Sequence, residues 1–156
     1  MRALRTIALV ITVLLVVIAC SAPAQLILLS NDGEFIDYSG TATLSGTYFL
    51  DLSNLEIQDL VCFHPDEPSQ KLLPTRPDLN HPHWMCFSNS AEARKLFGLT
   101  SPRRTDSDCY KGYAKLTVRN YRRYIAESEG VSLSEIAAVH QHSAGSAVPC
   151  DVLNSL

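Results

Sequence analysis

The sequence lacks the short motifs that mark many enzyme active sites. It contains no Gly-x-Ser-x-Gly nucleophile elbow, no His-Glu-x-x-His zinc motif and no glycine-rich phosphate loop. Its 5 cysteines include no Cys-x-x-Cys pair, the spacing that structural zinc sites use. These absences favour a protein that is not an enzyme and carries no cofactor. A small secreted hydrolase stays as an alternative.

Basic residues are also in short supply. The chain has 13 Lys and Arg against 16 Asp and Glu, for a formal net charge of −3. Because nucleic-acid-binding domains are usually strongly basic, this balance argues against a nucleic-acid partner. The length of 156 residues predicts one domain and is too short for a doubly wound cofactor domain with a second lobe.

One long apolar run is present, at the N-terminus. Residues 7–19 are apolar except for Thr12, and they follow Arg2 and Arg5. A membrane-spanning helix needs about 20 apolar residues, so this run is short for a span. A positive flank, a short apolar stretch and small residues are typical of a secretory signal. We therefore predict export, with a signal peptide over residues 1–19.

The apolar run ends at a cysteine. Val17-Ile18-Ala19-Cys20 resembles the lipobox of bacterial lipoproteins, although Val17 stands where that family more often has Leu. The resemblance implies cleavage before Cys20, acylation of its thiol and anchoring of the mature protein in a membrane of the bacterial envelope. Ala22-Pro23-Ala24 offers an ordinary cleavage site after residue 24 instead, which would leave a soluble periplasmic or secreted protein.

The other four cysteines predict two disulfide bonds, because an even number in an exported chain is typical of a disulfide framework. Three connectivities are possible. We favour Cys62–Cys86, which would join two short strands, and Cys109–Cys150, which would fasten the C-terminal tail. Each bond would stabilise the fold by roughly 2–4 kcal/mol, mainly by restricting the unfolded chain.

The hydrophobic pattern predicts a mainly β (α+β) fold. Residues 40–52 alternate apolar with polar or small side chains, and Gly46 suggests a bulge in their middle. Residues 55–63 are a second candidate strand, and residues 84–87 a short third one. The cleanest alternation lies in residues 113–118, where Ala, Leu and Val face one way and Lys and Thr the other.

Two short helices are predicted beside these strands. Residues 90–97 begin at a possible cap, Ser90, and end before a glycine. Residues 133–141 follow a capping box made by Ser132 and Glu135.

The order of elements loosely resembles an oligonucleotide/oligosaccharide-binding (OB) barrel. We expect a small antiparallel sheet or OB-like barrel with one or two short helices, stabilised by disulfides. After the signal peptide, residues 20–39 are predicted as a tether and N-terminal segment, and residues 40–156 as a single globular domain. Residues 65–82 contain five prolines and are predicted as a surface loop.

Charge is segregated along the chain. Residues 25–70 carry eight acids and no base, residues 71–123 carry eleven bases against four acids, and residues 124–156 carry four acids and no base. One interpretation is a basic, tyrosine-bearing strand that binds an anionic or sugar-like ligand. The other is that acidic and basic segments pair across the fold. The candidate binding residues are Lys115, Arg119, Tyr121, Arg122 and Arg123.

Histidines provide a metal-binding alternative. His81 and His83 are two residues apart in the proline-rich region, so on an extended segment they would project to one side and could chelate zinc or copper. His140 and His142 have the same spacing, but on the predicted helix they would diverge by about 200°. No metal site is assigned from these pairs.

These observations predict an exported, lipid-anchored cell-envelope protein that acts as a non-enzymatic binding module. Its partner would be an anionic or carbohydrate-like envelope component or another protein, and its N-terminal lipid would hold it at a membrane. A periplasmic zinc- or copper-binding protein is the second hypothesis, and the small hydrolase is the third.

Overall fold

The computed structural model describes residues 25–74, 84–99, 108–126 and 130–155, which are mainly β. None of the helices in these ranges has the length and apolar character that crossing a membrane requires. The elements follow one another as β1 (Leu26–Asn31), β2 (Phe35–Leu50), β3 (Cys62–Pro65), α1 (Glu67–Gln70), β4 (Met85–Phe87), α2 (Ser90–Leu96), β5 (Asp108–Tyr124), β6 (Ser132–His142), β7 (Ser146–Pro149) and a C-terminal 3₁₀ helix (Cys150–Ser155).

Five of the strands close into a barrel. β2 runs antiparallel to both β3 and β5, β3 is antiparallel to β4, and β5 is antiparallel to β6. The ring is completed by β4 and β6, which run parallel. The predicted mainly β fold with an OB-like barrel is thus confirmed, with α2 in the connection between β4 and β5. The sheet is mixed rather than wholly antiparallel because of the β4–β6 pair.

Two further strands extend the sheet beyond the ring. β1 pairs with the first half of β2, and β7 pairs with the start of β5. The sheet therefore begins at Leu26, inside the segment 20–39 for which the sequence predicts a tether. Residues 1–24, with the predicted signal peptide and Cys20, lie outside the described residues.

The barrel core is formed by alternate positions of the long strands. The predicted inward set on β5 is confirmed, and the matching set on β2 lies opposite it. Tyr48 stacks on Phe97 at 3.9 Å between ring centroids, and its hydroxyl donates a hydrogen bond to the carbonyl of Ser143 at 2.8 Å. Burial of such side chains supplies most of the favourable free energy of folding. The fully buried residues of these two strands include Ala42, Leu44, Ala114, Leu116 and Val118.

Both disulfides lie in a second apolar cluster that is separate from the barrel core. They join Cys62 to Cys86 and Cys109 to Cys150, the connectivity favoured from the sequence. The first bond ties the short strands β3 and β4 at directly opposed positions, and the second ties β5 to the 3₁₀ helix. Because β3 and β4 have only four and three residues, this covalent link supports their pairing. The cluster also contains Phe49, Ile57 and Leu153.

The helix predicted for residues 133–141 is wrong, since this segment is strand β6. The Ser132 hydroxyl accepts a hydrogen bond from the Tyr124 amide across the β5–β6 pair at 3.2 Å, rather than capping a helix. A cap stabilises a helix by only about 0.5–2 kcal/mol. β6 instead pairs with β4 on one side and β5 on the other, which satisfies its backbone and closes the barrel.

Three smaller expectations also change. In the candidate strand 55–63 only the last two residues are extended, because β3 begins at Cys62. The region 65–82, predicted as loop, holds the one-turn helix α1, whose proline sits in the first turn where its missing N–H is harmless. Ser90 lies inside α2 after the N-cap Asn89, and its hydroxyl accepts a hydrogen bond from the Val61 amide.

Gly46 serves close strand packing and does not form a bulge. It pairs with Pro65 of β3 on one side and with Ala114 of β5 on the other. A Cβ at this position would collide with the carbonyl oxygen of His64 and lie 2.8 Å from the Cα of Pro65. The register shift of β2 lies earlier, beside Gly40, whose φ is 94°.

We expect Gly46→Ala to lower the free energy of unfolding by about 1–3 kcal/mol, because the added methyl group forces β2 and β3 apart. Urea denaturation would measure this loss. Ser45→Ala, on the neighbouring outward position, should change the free energy by about 0.5 kcal/mol or less. Equal losses in the two variants would show that the close approach at Gly46 is unimportant.

Candidate functional site

The candidate basic strand is β5, which lies between β2 and β6 in the sheet. Up to residue 119 its odd-numbered side chains point away from the core, as strand alternation requires. Tyr113, Lys115 and Arg119 are exposed. We use the name outer face for these positions and their neighbours on β2 and β6: Thr41, Thr43, Ser45, Thr47, Tyr113, Lys115, Thr117, Arg119, Glu135, Ala138, His140 and Gln141.

An irregularity at Asn120 reverses which side chains of β5 point inward. Asn120 has a φ of 51°, a left-handed conformation that asparagine tolerates better than most residues. The register of β5 against both neighbouring strands shifts around this residue. As a result Tyr121 and Arg123 are buried, although they are odd-numbered like the outward residues before them.

Tyr121 and Arg123 are therefore not available for binding, in contrast to the sequence prediction. The Tyr121 ring lies beside that of Tyr38, with 5.8 Å between centroids, and burial raises the pKa of its hydroxyl. Arg123 donates a hydrogen bond from Nη1 to the carbonyl of Pro74 at 2.8 Å. Both side chains support the fold.

Arg122 is exposed but paired with residues of the acidic segment. Its Nε donates to Oδ1 of Asp37 at 2.7 Å, and Asp32 Oδ2 lies 3.8 Å from its Nη2. Its guanidinium also lies 4.5 Å from the centroid of the Phe35 ring. The hydrogen bond from Arg122 holds the pKa of Asp37 below its ordinary value. This arginine is thus neutralised by its own fold.

Arg119 is neutralised in the same way. Its Nε lies 3.0 Å from Oε2 of Glu135 on the neighbouring strand, and this contact lowers the pKa of Glu135. Such exposed pairs add about 0–1 kcal/mol to stability, yet they cancel the charge seen by a ligand. The interpretation in which acidic and basic segments pair across the fold therefore fits these two arginines better than a basic binding strip.

A polar ladder crosses the middle of the outer face. The hydroxyl oxygens of Thr43 and Thr117 are 2.8 Å apart, and Nε2 of His140 lies 2.8 Å from the Thr117 oxygen. Lys115 stands next to this ladder and forms no ion pair within the described ranges. Tyr113 lies two residues before it on the same face. The arrangement offers hydrogen-bond donors and acceptors, one ammonium and one exposed aromatic ring.

The Thr117–His140 contact is also the geometry that a hydrolase would need. A nucleophile-and-base pair normally has a third group that orients the base. In the part of the chain that the structure describes, no carboxylate contacts His140, and this histidine is exposed on the open outer face. The arrangement therefore resembles a solvated hydrogen-bond ladder more closely than a catalytic dyad.

The surface that OB barrels commonly use for binding is covered in this chain. OB barrels bind oligonucleotides and oligosaccharides across their second and third strands. The corresponding strands here are β3 and β4, and the Cys62–Cys86 bond joins them. Phe49 and Trp84 belong to the same apolar cluster, with ring centroids 6.1 Å apart. The outer side of β3 and β4 is therefore occupied, whereas the outer face includes exposed side chains.

The histidines predicted as metal ligands do not form a site within the described residues. Nε2 of His140 contacts Thr117, whereas the His142 ring packs edge-on against Phe97 with 5.8 Å between centroids. His81 and His83 lie outside the described residues.

One group of potential metal ligands does occur in the described ranges, formed by Asp51, Cys109 and Cys150. Both cysteines are joined in a disulfide, so they offer no thiolate. The Asp51 carboxylate already accepts hydrogen bonds from the backbone amides of Ser53 and Asn54. This group therefore does not form a metal site.

Some members of the outer face were not among the residues selected from the sequence. Thr43 and Thr117 carry no motif, and His140 was selected only as a candidate metal ligand. The signal that could have found them is the hydroxyl at every second position from residue 41 to residue 47, facing outward on β2. His140 could not have been placed there while its segment was assigned to a helix.

No protein-family model matches this chain, and neither a curated protein nor a solved structure matches it.

His64 of β3 carries a buried imidazole nitrogen. Its Nε2 has no hydrogen-bond partner among the described residues, and burial lowers the pKa of the ring below the ordinary value of 6.5. The neutral form is thus favoured in the folded protein. In the unfolded chain the ring titrates at its ordinary pKa and binds a proton more readily.

We expect the free energy of unfolding to be constant above pH 6.5 with respect to His64 and to fall as the pH drops below it. His64→Gln should remove this slope, as measured by urea denaturation between about pH 7.5 and about pH 5. Thr47→Val, at the cross-strand partner of His64, should keep it. Carboxylates such as Asp37, whose pKa in the fold lies below the ordinary value of 3.8, change the free energy of unfolding only at more acidic pH. An unchanged slope in His64→Gln would contradict the assignment.

Proposed function

We propose that this chain is an exported, lipid-anchored cell-envelope protein whose folded part is a non-enzymatic binding module. Two intramolecular disulfides support an oxidising compartment such as the periplasm or the cell exterior. Cys20 would be the anchor, and only five residues separate it from β1. An extended chain of this length reaches at most about 20 Å, so the barrel would stay close to the membrane surface.

The proposed ligand is a carbohydrate-like envelope component that lies on the outer face. The observation that carries this proposal is the exposed Tyr113 ring beside Lys115 and the Thr117–His140 ladder. An aromatic ring can stack against the apolar face of a sugar, while hydroxyl, imidazole and ammonium groups bond to its oxygens. Arg119 and Arg122 are paired with acidic side chains of the same chain. A strongly anionic ligand is therefore a weaker candidate than a carbohydrate. From Tyr113 to Thr117 the row spans about 14 Å, enough for a short oligosaccharide.

We expect the folded domain to bind some members of a panel of immobilised neutral and anionic bacterial envelope oligosaccharides. Tyr113→Ala and Lys115→Ala should each weaken that binding by about tenfold, the effect of losing roughly 1.4 kcal/mol of contact energy. Lys95→Ala removes an exposed lysine of α2 and should have no effect. Surface plasmon resonance would measure the affinities.

Two results would contradict the carbohydrate proposal. One is the absence of binding to every member of the panel. The other is binding that Tyr113→Ala leaves unchanged while Arg119→Glu and Arg122→Glu abolish it. That second result would instead support recognition of an anionic ligand through the arginines.

We expect the protein purified from its native membrane fraction to have an intact mass that begins at Cys20 and includes acyl groups. Reduction should add four hydrogens, two for each disulfide. A Cys20→Ala variant serves as the control and should lose the acyl mass. A mass that begins at Gln25 would contradict the lipid anchor and indicate a soluble exported protein.

A further inference from the structure

β1 is an exposed and apolar edge strand. Ile27, Leu28 and Leu29 are 61%, 64% and 70% exposed. β1 pairs with β2 along one side, and within the described residues no strand pairs with its other side. A strand of this kind presents a row of backbone N–H and C=O groups that can bond another strand.

The opposite edge of the sheet is better protected than β1. β7 has only four residues, ends at Pro149 and leads directly into the disulfide at Cys150. A short strand with a proline and a covalent constraint accepts a further strand poorly. β1 has six residues, no proline and no charged side chain, although its register against β2 shifts between Leu28 and Ser30. β1 thus has one feature that hinders strand addition, whereas β7 has its short length, a proline and a covalent constraint.

We propose that β1 pairs antiparallel with β1 of a second copy of this chain, across a two-fold axis at Leu28. In this register Ile27 faces Leu29 of the second copy, so apolar side chains meet apolar side chains. No like charges oppose each other, because the nearest acid, Asp32, lies beyond the strand. An interface of this type is self-complementary and closes as a dimer.

The observations favour a second copy over a lipid surface. Lipid could cover Ile27, Leu28 and Leu29, but it would leave the backbone groups of the free edge without partners. Acidic side chains follow β1 directly at Asp32 and Glu34, and an anionic leaflet would repel them. A second strand satisfies the backbone edge and the apolar side chains together.

The proposed dimer depends on the proposed membrane anchor, because the interface alone is too small for a high affinity. A pair of six-residue strands is smaller than the roughly 1,000 Å² that a stable interface in solution usually buries. Short tethers would hold every copy of β1 at a similar height above the membrane. The effective concentration of one β1 strand for another would then be higher than in solution. We therefore expect weak association of the free domain and strong association of tethered copies.

The test uses the chain from residue 20 onward, with Cys20→Ser and an N-terminal hexahistidine tag that binds a nickel-chelating lipid in phosphatidylcholine vesicles. Because this tether is artificial, the result does not depend on natural acylation. Leu28→Cys should form an intermolecular disulfide under mild oxidation, since the two-fold axis brings this position next to itself. Leu55→Cys, at another exposed leucine, should not cross-link. Mass mapping would verify that both native disulfides persist.

A second variant separates dimerisation from folding. Leu28→Lys places like charges opposite each other and removes apolar contact, so it should weaken association on vesicles by about tenfold or more. Single-molecule counting of labelled copies would measure this effect, and the unfolding free energy should stay the same because Leu28 is exposed.

The dimer would be overturned by equal cross-linking of Leu28→Cys and Leu55→Cys, by no cross-linking of either, or by unchanged association of Leu28→Lys. It would also be overturned if the untethered, monomeric domain bound phosphatidylglycerol vesicles and Leu28→Lys abolished that binding, since β1 would then face lipid. A native mass that begins at Gln25 would remove the natural anchor and leave the vesicle result as it stands.

Discussion

The antiparallel pairing of β2 with β5 is the contact on which the barrel depends. Each of these long strands also bonds a neighbour on its other side, β3 and β6 respectively, so their pairing joins the two halves of the ring. It also aligns the two sets of buried side chains that form the core. The irregularity at Gly40 and Asn120 lies within this same pairing and determines which arginines reach solvent. Fold and binding surface are thus decided by one pair of strands.

The distribution of charge shows how sequence segregation can lead to a mixed surface. An acidic segment followed by a basic one would, taken along the chain alone, suggest a surface with separate acidic and basic regions. Antiparallel pairing brings the two segments side by side, so Asp37 of β2 lies against Arg122 of β5. A hydroxyl ladder and an isolated lysine then dominate the middle of the outer face. This local chemistry is why we propose a sugar-like ligand.

The disulfides and the apolar packing around them determine which surfaces of the barrel are accessible. The Cys62–Cys86 bond secures two short strands, and the apolar cluster around it lies over the outer side of β3 and β4. The C-terminal edge is closed by Pro149 and by the bond to Cys150. What stays accessible is the outer face of the long strands and the apolar edge of β1. Ligand binding and self-association are accordingly proposed on separate surfaces.

The sequence by itself determined the features that depend on local pattern or on counting. Strand alternation in β5 identified Ala114, Leu116 and Val118 as core, and cysteine number predicted two disulfides. Only the tertiary structure decided that residues 132–142 are a strand, because β4 and β5 supply bonding partners that outweigh a local capping box. It also decided that Arg123 is buried, since a single left-handed residue at Asn120 changes the alternation. Such effects depend on segments far apart in the chain, which a local pattern does not contain.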